Sequence, residues 1–137
     1  SVVFWNGSAL NCLNVILYSS NANIPKSPNT WAQGGIGLYL CNNAWKARYM
    51  AEYSAEAYPL DETDARTGIL IDKSKRSVYL FACTSAIYVS DLRAAMMAYA
   101  GLAEGGSAGN WAAIMTDGGR STQLYTAENS TAALRAR

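Results

Sequence analysis

Histidine does not occur in this 137-residue sequence. Its absence removes Ser-His-Asp and Cys-His catalysis and every metal site built on imidazole. Any chemistry must then rest on carboxylates, Arg, Lys, Tyr or hydroxyls. Charge is scarce as well. Charged residues make up 15% of the chain, against about 25% in an average soluble domain, and they nearly cancel, leaving a net charge of +1. No basic run stands out, which argues against a nucleic-acid partner, because phosphate neutralisation needs clustered Lys and Arg. Long apolar runs are missing too; none approaches the ~20 residues needed to span a membrane. The three cysteines, Cys12, Cys41 and Cys83, lack CxxC spacing, which speaks against zinc and thioredoxin-type sites. They leave open either one disulfide, with Cys12 and Cys41 as the favoured pair, or three buried thiols. Cys83, inside the apolar run SVYLFAC, reads as buried core.

What is present points to one domain over residues 1–137, long enough for a real core, since half the residues are hydrophobic. Lys is sparse, while Tyr, Asn, Ser, Thr and Gly are plentiful. That balance leans toward a secreted, extracellular or cell-surface protein. The sequons at Asn6 (NGS) and Asn129 (NST) fit a glycoprotein in that setting. The chain starts at Ser1 rather than Met, as it would after removal of an upstream segment such as a signal peptide.

Along the chain, SVVFW and LNVILYS read as strands around the Asn6-Gly7 turn, followed by a Ser-, Asn- and Pro-rich loop, SNANIPKSPNT. GGIGLYLC (34–41) resumes as strand. WKARYMAEYSAEAY alternates Trp45, Ala47, Tyr49, Ala51, Tyr53 and Ala55 with mostly polar neighbours, which predicts another strand, ended at Pro59. TGILID and SVYLFACT flank the polar KSKR and predict a β-hairpin. Ser90 is the expected cap of a helix over about 91–103, with Leu92, Ala95, Met96, Tyr99 and Leu102 on its buried face. WAAIMT and TQLYT are the last two strands. The expected class is therefore α+β: a mostly β, mixed sheet with one helix packed on a sheet face. Strands at about 68–72, 77–83, 111–116 and 122–126 would share that sheet.

Between the final two strands stands MTDGGRSTQLY. Gly118 and Gly119 permit close approach to the main chain, and successive amides there can converge into an anion-binding nest. Arg120 adds a planar fork suited to phosphate or carboxylate, and Ser121 and Thr122 add hydroxyls. Taken alone, Asp-Gly-Gly is more often a plain hairpin turn.

Three features in order shift that balance: Arg66-Thr67 before a strand hairpin, a Ser90-opened helix, and an apolar strand running into Asp117 to Thr122. Over residues 66–126 this arrangement resembles the phosphodiester glycosidase domain family, the enzyme type that uncovers mannose 6-phosphate. Arg120 stands where members often carry a third glycine, and the resemblance implies a domain shortened on its N-terminal side. The resemblance implies cleavage of the bond between an anomeric carbon and a phosphate, with Asp117 and Arg66 as catalytic residues. Gly118, Gly119, Arg120, Ser121 and Thr122 would bind the substrate. Phosphate leaves as an anion, so strong acid assistance matters less than holding its charge and stabilising the cationic sugar. Asp117 would act as nucleophile, base or electrostatic stabiliser, and Arg66 has a structural alternative as partner of Asp64 or Glu62. No cofactor is expected, and no loop is oxygen-rich enough to hold calcium. DETD (61–64) reads as a solvated turn, and most of the Trp and Tyr residues as core rather than sugar platforms. The expected partner is a sugar-phosphate or glycan ligand. The competing class is a non-catalytic extracellular glycan-binding or self-assembling protein on the same scaffold, since a weakly charged surface resists homo-oligomer or polymer formation poorly.

Overall fold

The computed structural model describes residues 1–5, 13–16, 24, 30–52, 59–119 and 122. The strands are β1 (Val2–Trp5), β2 (Leu13–Ile16), β3 (Trp31–Gly34), β4 (Ile36–Gly37), β5 (Asp64–Asp72), β6 (Ser77–Ile87) and β7 (Trp111–Gly118). The helices are α1 (Trp45–Glu52) and α2 (Val89–Tyr99). They form a mostly β, α+β fold with two sheets, ordered β2-β1-β3 and β4-β7-β5-β6. Every described pairing is antiparallel, where the sequence led us to expect a mixed sheet.

Alternation along β5 and β7 explains the layers. Ile69, Ile71 and Ile114 face one side and pack with Val3 of β1, while Leu70, Ala113 and Met115 face the other and join the helices. Both faces of the central strands are thus buried, so β5 reads as a nearly continuous apolar run. Gly68 marks where α2 comes closest: a Cβ there would lie 2.5 Å from Met96 Cε and 2.8 Å from the Ile114 carbonyl oxygen. The β5–β6 hairpin forms as expected. Asp72 Oδ1 holds its turn by accepting the Ser74 amide at 2.9 Å and the Lys75 amide at 3.2 Å.

Several expectations need correction. WKARYMAE is helix, not strand. Trp45 and Tyr49, one turn apart, bury together on one face, while Lys46, Ala47, Arg48 and Met50 are exposed; alanines at every second position only imitate a strand. The run 34–41 is not one strand: after β4 the backbone turns left-handed at Tyr39 (φ 44°) and Cys41 (φ 61°). Cys41 is a buried free thiol, so of the two alternatives left open the Cys12–Cys41 bridge is not made; Cys12 lies outside the described residues. Cys83 is free as expected but only half-buried, because β6 forms the end of the described sheet order.

Helix α2 begins two residues earlier than the expected 91 and ends four residues before 103. Its N-cap is Tyr88, not Ser90, and Asp91 Oδ2 accepts the Tyr88 amide at 3.0 Å. At the other end Gly101 (φ 68°) takes the left-handed position, and the Gly101 and Leu102 amides bond back to Ala98 and Met97. The buried face is Val89, Leu92, Arg93, Met96 and Met97, leaving Ala95 and Tyr99 exposed. A stripe drawn from apolar residues alone misses that an arginine belongs to it. Of the expected strand 122–126 only Thr122 is among the described residues, and it lies outside any strand.

Candidate functional site

The sequence motif lies where the end of β7 meets the start of β5. Arg66 pairs with Gly118, but Gly68 pairs with Met115. Thr116 and Asp117 therefore both oppose Thr67, which makes a β-bulge. The Thr67 hydroxyl donates to the Asp117 carbonyl and lies 2.8 Å from the Thr116 hydroxyl. A hydroxyl carries one hydrogen, so Thr116 is the donor in that second bond. Register is shifted on the other flank as well, between Asp64 and Arg66 against β6. Both neighbours of β5 are irregular at this end.

The glycines are required by packing. A Cβ on Gly118 would sit 2.6 Å from the Ala65 carbonyl oxygen, so β7 touches the β5 backbone directly. Gly119 is left-handed (φ 73°), and a Cβ there would meet Asp64 Oδ2 at 3.2 Å. The Thr122 amide donates to the Gly119 carbonyl at 3.0 Å. Thr122 is 5% exposed, and its buried hydroxyl has no hydrogen-bond partner among the described residues. An unsatisfied buried hydroxyl is costly.

Asp117 is exposed, and its Oδ1 accepts the neighbouring Gly118 amide at 2.9 Å. That amide is therefore already engaged, and an anion nest here would draw on the Gly119 amide and those beyond it. Arg120 and Ser121 lie outside the described residues.

Arg66 is 2% exposed. It sits on the α2 side of β5, the side shared by Gly68 two residues on. Its Nη2 donates to the Glu62 carbonyl at 3.0 Å and its Nε to the Ile87 carbonyl at 3.4 Å. The alternative role as ion-pair partner of Asp64 or Glu62 thus takes a different form: Glu62 contributes its main chain. Among the described residues no carboxylate lies within ion-pair distance of Arg66. The structure brings Arg66 against the Gly118 backbone but seals its guanidinium from solvent, whereas Asp117 is open.

A second polar cluster, which sequence reasoning missed, surrounds Glu52 at the end of α1. Its carboxylate pairs with the Ser1 ammonium and accepts the Tyr39 hydroxyl, the Ser1 hydroxyl (2.8 Å) and the Gly37 amide (3.2 Å). Burial alone raises the Glu52 pKa, but these donors together hold it below the ordinary carboxylate value. Burial, and then the bond to Glu52 and its charge, push Tyr39 up to about 12. Beside it a cleft of about 240 Å³ is lined by Ser1, Gly37, Tyr39, Leu40, Trp111 and three alanines.

Trp111 stacks near Tyr79 (5.8 Å between centroids), and Tyr79 and Phe81 meet Tyr99 edge-on. These rings pack on one another, with Tyr99 exposed at the edge of the group. All four residues of DETD are exposed. Among the described residues no group of His, Cys, Asp or Glu is arranged to hold a metal, and no helix is long and apolar enough to cross a membrane. No family model, curated protein or solved structure matches the chain.

Proposed function

We propose that the chain is a secreted, phosphodiester glycosidase-like hydrolase domain that holds a sugar-phosphate diester at the end of β7. One observation carries this reading: Arg66 is a buried cation with no counter-charge among the described residues, on the β5 residue whose backbone pairs with Gly118. A buried charge left without a partner is costly, and an anion seated above it offsets that cost. The Thr122 hydroxyl, without a partner among the described residues, supports the same site. Arg66 then contributes through its field rather than by touching phosphate. Gly119, Arg120, Ser121 and Thr122 are the proposed contacts, and exposed Asp117 supplies negative charge to the cationic sugar.

The test is hydrolysis of a hexose-1-phosphate phenyl diester, with release of phenyl phosphate followed by phosphorus NMR. Wild type should turn it over, and Asp117→Asn should abolish turnover while leaving the fold intact. Asn keeps shape and hydrogen bonding but removes charge.

A second reading, a non-catalytic glycan-binding or self-assembling protein, is favoured by the bond that Asp117 Oδ1 accepts from its neighbouring Gly118 amide. The exposed Val78 and Leu80 on β6 suit association with other copies. On that reading wild type is inert, and Asp117→Asn changes only stability.

A further inference from the structure

The Asp-Gly-Gly turn has an acidic neighbour outside the motif. Asp64, at the first position of β5, lies over Gly119, with Oδ2 3.2 Å from where a Cβ would stand. Its Oδ1 accepts the Ala65 amide at 2.8 Å, which fixes the plane of the carboxylate. Oδ2 has no donor among the described residues. The side chain is exposed. The register shifts on both flanks of β5 fall at this residue and those just after it, and such bulges re-aim side chains beside active sites. The Thr122 hydroxyl, buried and unpartnered among the described residues, belongs to the turn that Asp64 touches. It is an independent polar group that a ligand atom would satisfy.

We infer that Asp64 is the second carboxylate of this site and the general base of the proposed hydrolysis; the inference rests on the hydrolase reading. Asp64 Oδ2 takes a proton from water as the water oxygen bonds to the anomeric carbon. The bond from that carbon to the phosphate oxygen breaks, and its electron pair leaves with the phosphate monoester. The proton passes from Asp64 to solvent. Water is the sole co-reactant. Asp117, whose Oδ1 is held by Gly118, stabilises the positive sugar while Asp64 works on the water. Glycosidases divide two carboxylates between tasks in the same general way.

The experiment uses the intact chain, the phenyl diester probe and Asp64→Asn. The variant should keep the wild-type far-ultraviolet circular dichroism, since Asp64 is exposed and Asn retains the acceptor for Ala65. Its kcat/KM should fall about 100-fold or more, the range for loss of a general base, and added formate should restore part of the turnover. Labelled water should deliver its oxygen to the sugar, not to phosphate. Wild-type turnover with an equally active Asp64→Asn overturns the role of Asp64 alone. Loss of turnover that formate does not rescue also overturns it, in favour of a structural role. An inert wild type overturns the hydrolase reading itself, and the base role falls with it.

Discussion

Two arginines are buried among the described residues, and they are satisfied in opposite ways. Arg93, on α2, forms a two-pronged pair with Glu104 at 2.6 and 3.0 Å. It also donates to the carbonyls of Leu38 and Tyr39 at 2.9 and 3.1 Å and lies 4.9 Å from the Trp45 ring centroid. Its charge is compensated, and it clamps the backbone at Leu38 and Tyr39 to the helix. Arg66 reaches only two carbonyls and has no carboxylate among the described residues. The first arginine is a finished structural joint. The second leaves a buried positive charge on the strand that pairs with Gly118, near a Thr122 hydroxyl that has no partner among the described residues.

Breaking the finished joint should cost most. Arg93→Met should destabilise the fold by about 3 kcal/mol in chemical denaturation, since it removes charge-assisted bonds and leaves two loop carbonyls short of donors. Gly68→Ala should follow at about 2 kcal/mol, because the added methyl meets Met96 and the Ile114 carbonyl in an already close contact. Arg66→Met should cost about 1 kcal/mol, because losing two carbonyl bonds is offset by removing an uncompensated buried charge.

The Glu52 cluster is a third and titratable way of meeting buried charge, with the smallest expected effect. Glu52 has a lowered folded-state pKa, so its stabilisation is present above its ordinary value of 4.5 and lost as pH falls through the folded value. Tyr39 is raised from 10.0 to about 12, so its contribution is present below 10.0 and lost as pH rises between those values. Denaturation followed against pH should show an acid and an alkaline loss, and Tyr39→Phe should remove the alkaline one.

Much of the sheet is legible in the sequence because its apolar runs are long and bounded by turn residues: TGILID, SVYLFACT and WAAIMT all become strands of one sheet. Helix α1 reads as strand because Ala47 and Ala51 carry no strong preference for a face, and the buried pair Trp45 and Tyr49 fits either period. Arg93 is invisible to an apolar count, since only its partners make it a core residue. At the proposed site, the motif's place after an apolar strand is legible, but the bulge opposite Thr67 and the seal over Arg66 depend on register, which no local pattern encodes. Asp64 reads only as part of a solvated acidic turn. Its exposure agrees with that, but its contact with Gly119 joins positions more than fifty residues apart and leaves no local trace.

Whether Arg66 and the Asp-Gly-Gly turn together hold an anion is tested most sharply by titrating the protein with inorganic phosphate and following the backbone amides by NMR. Saturable shifts centred on Gly119 and Thr122 are expected in the wild type, and their loss in a folded Arg66→Met. Arg93 supplies the control, because its neighbours Leu38 and Tyr39 should not respond. Shifts absent from the turn, or equal affinity in Arg66→Met, would contradict an anion site there.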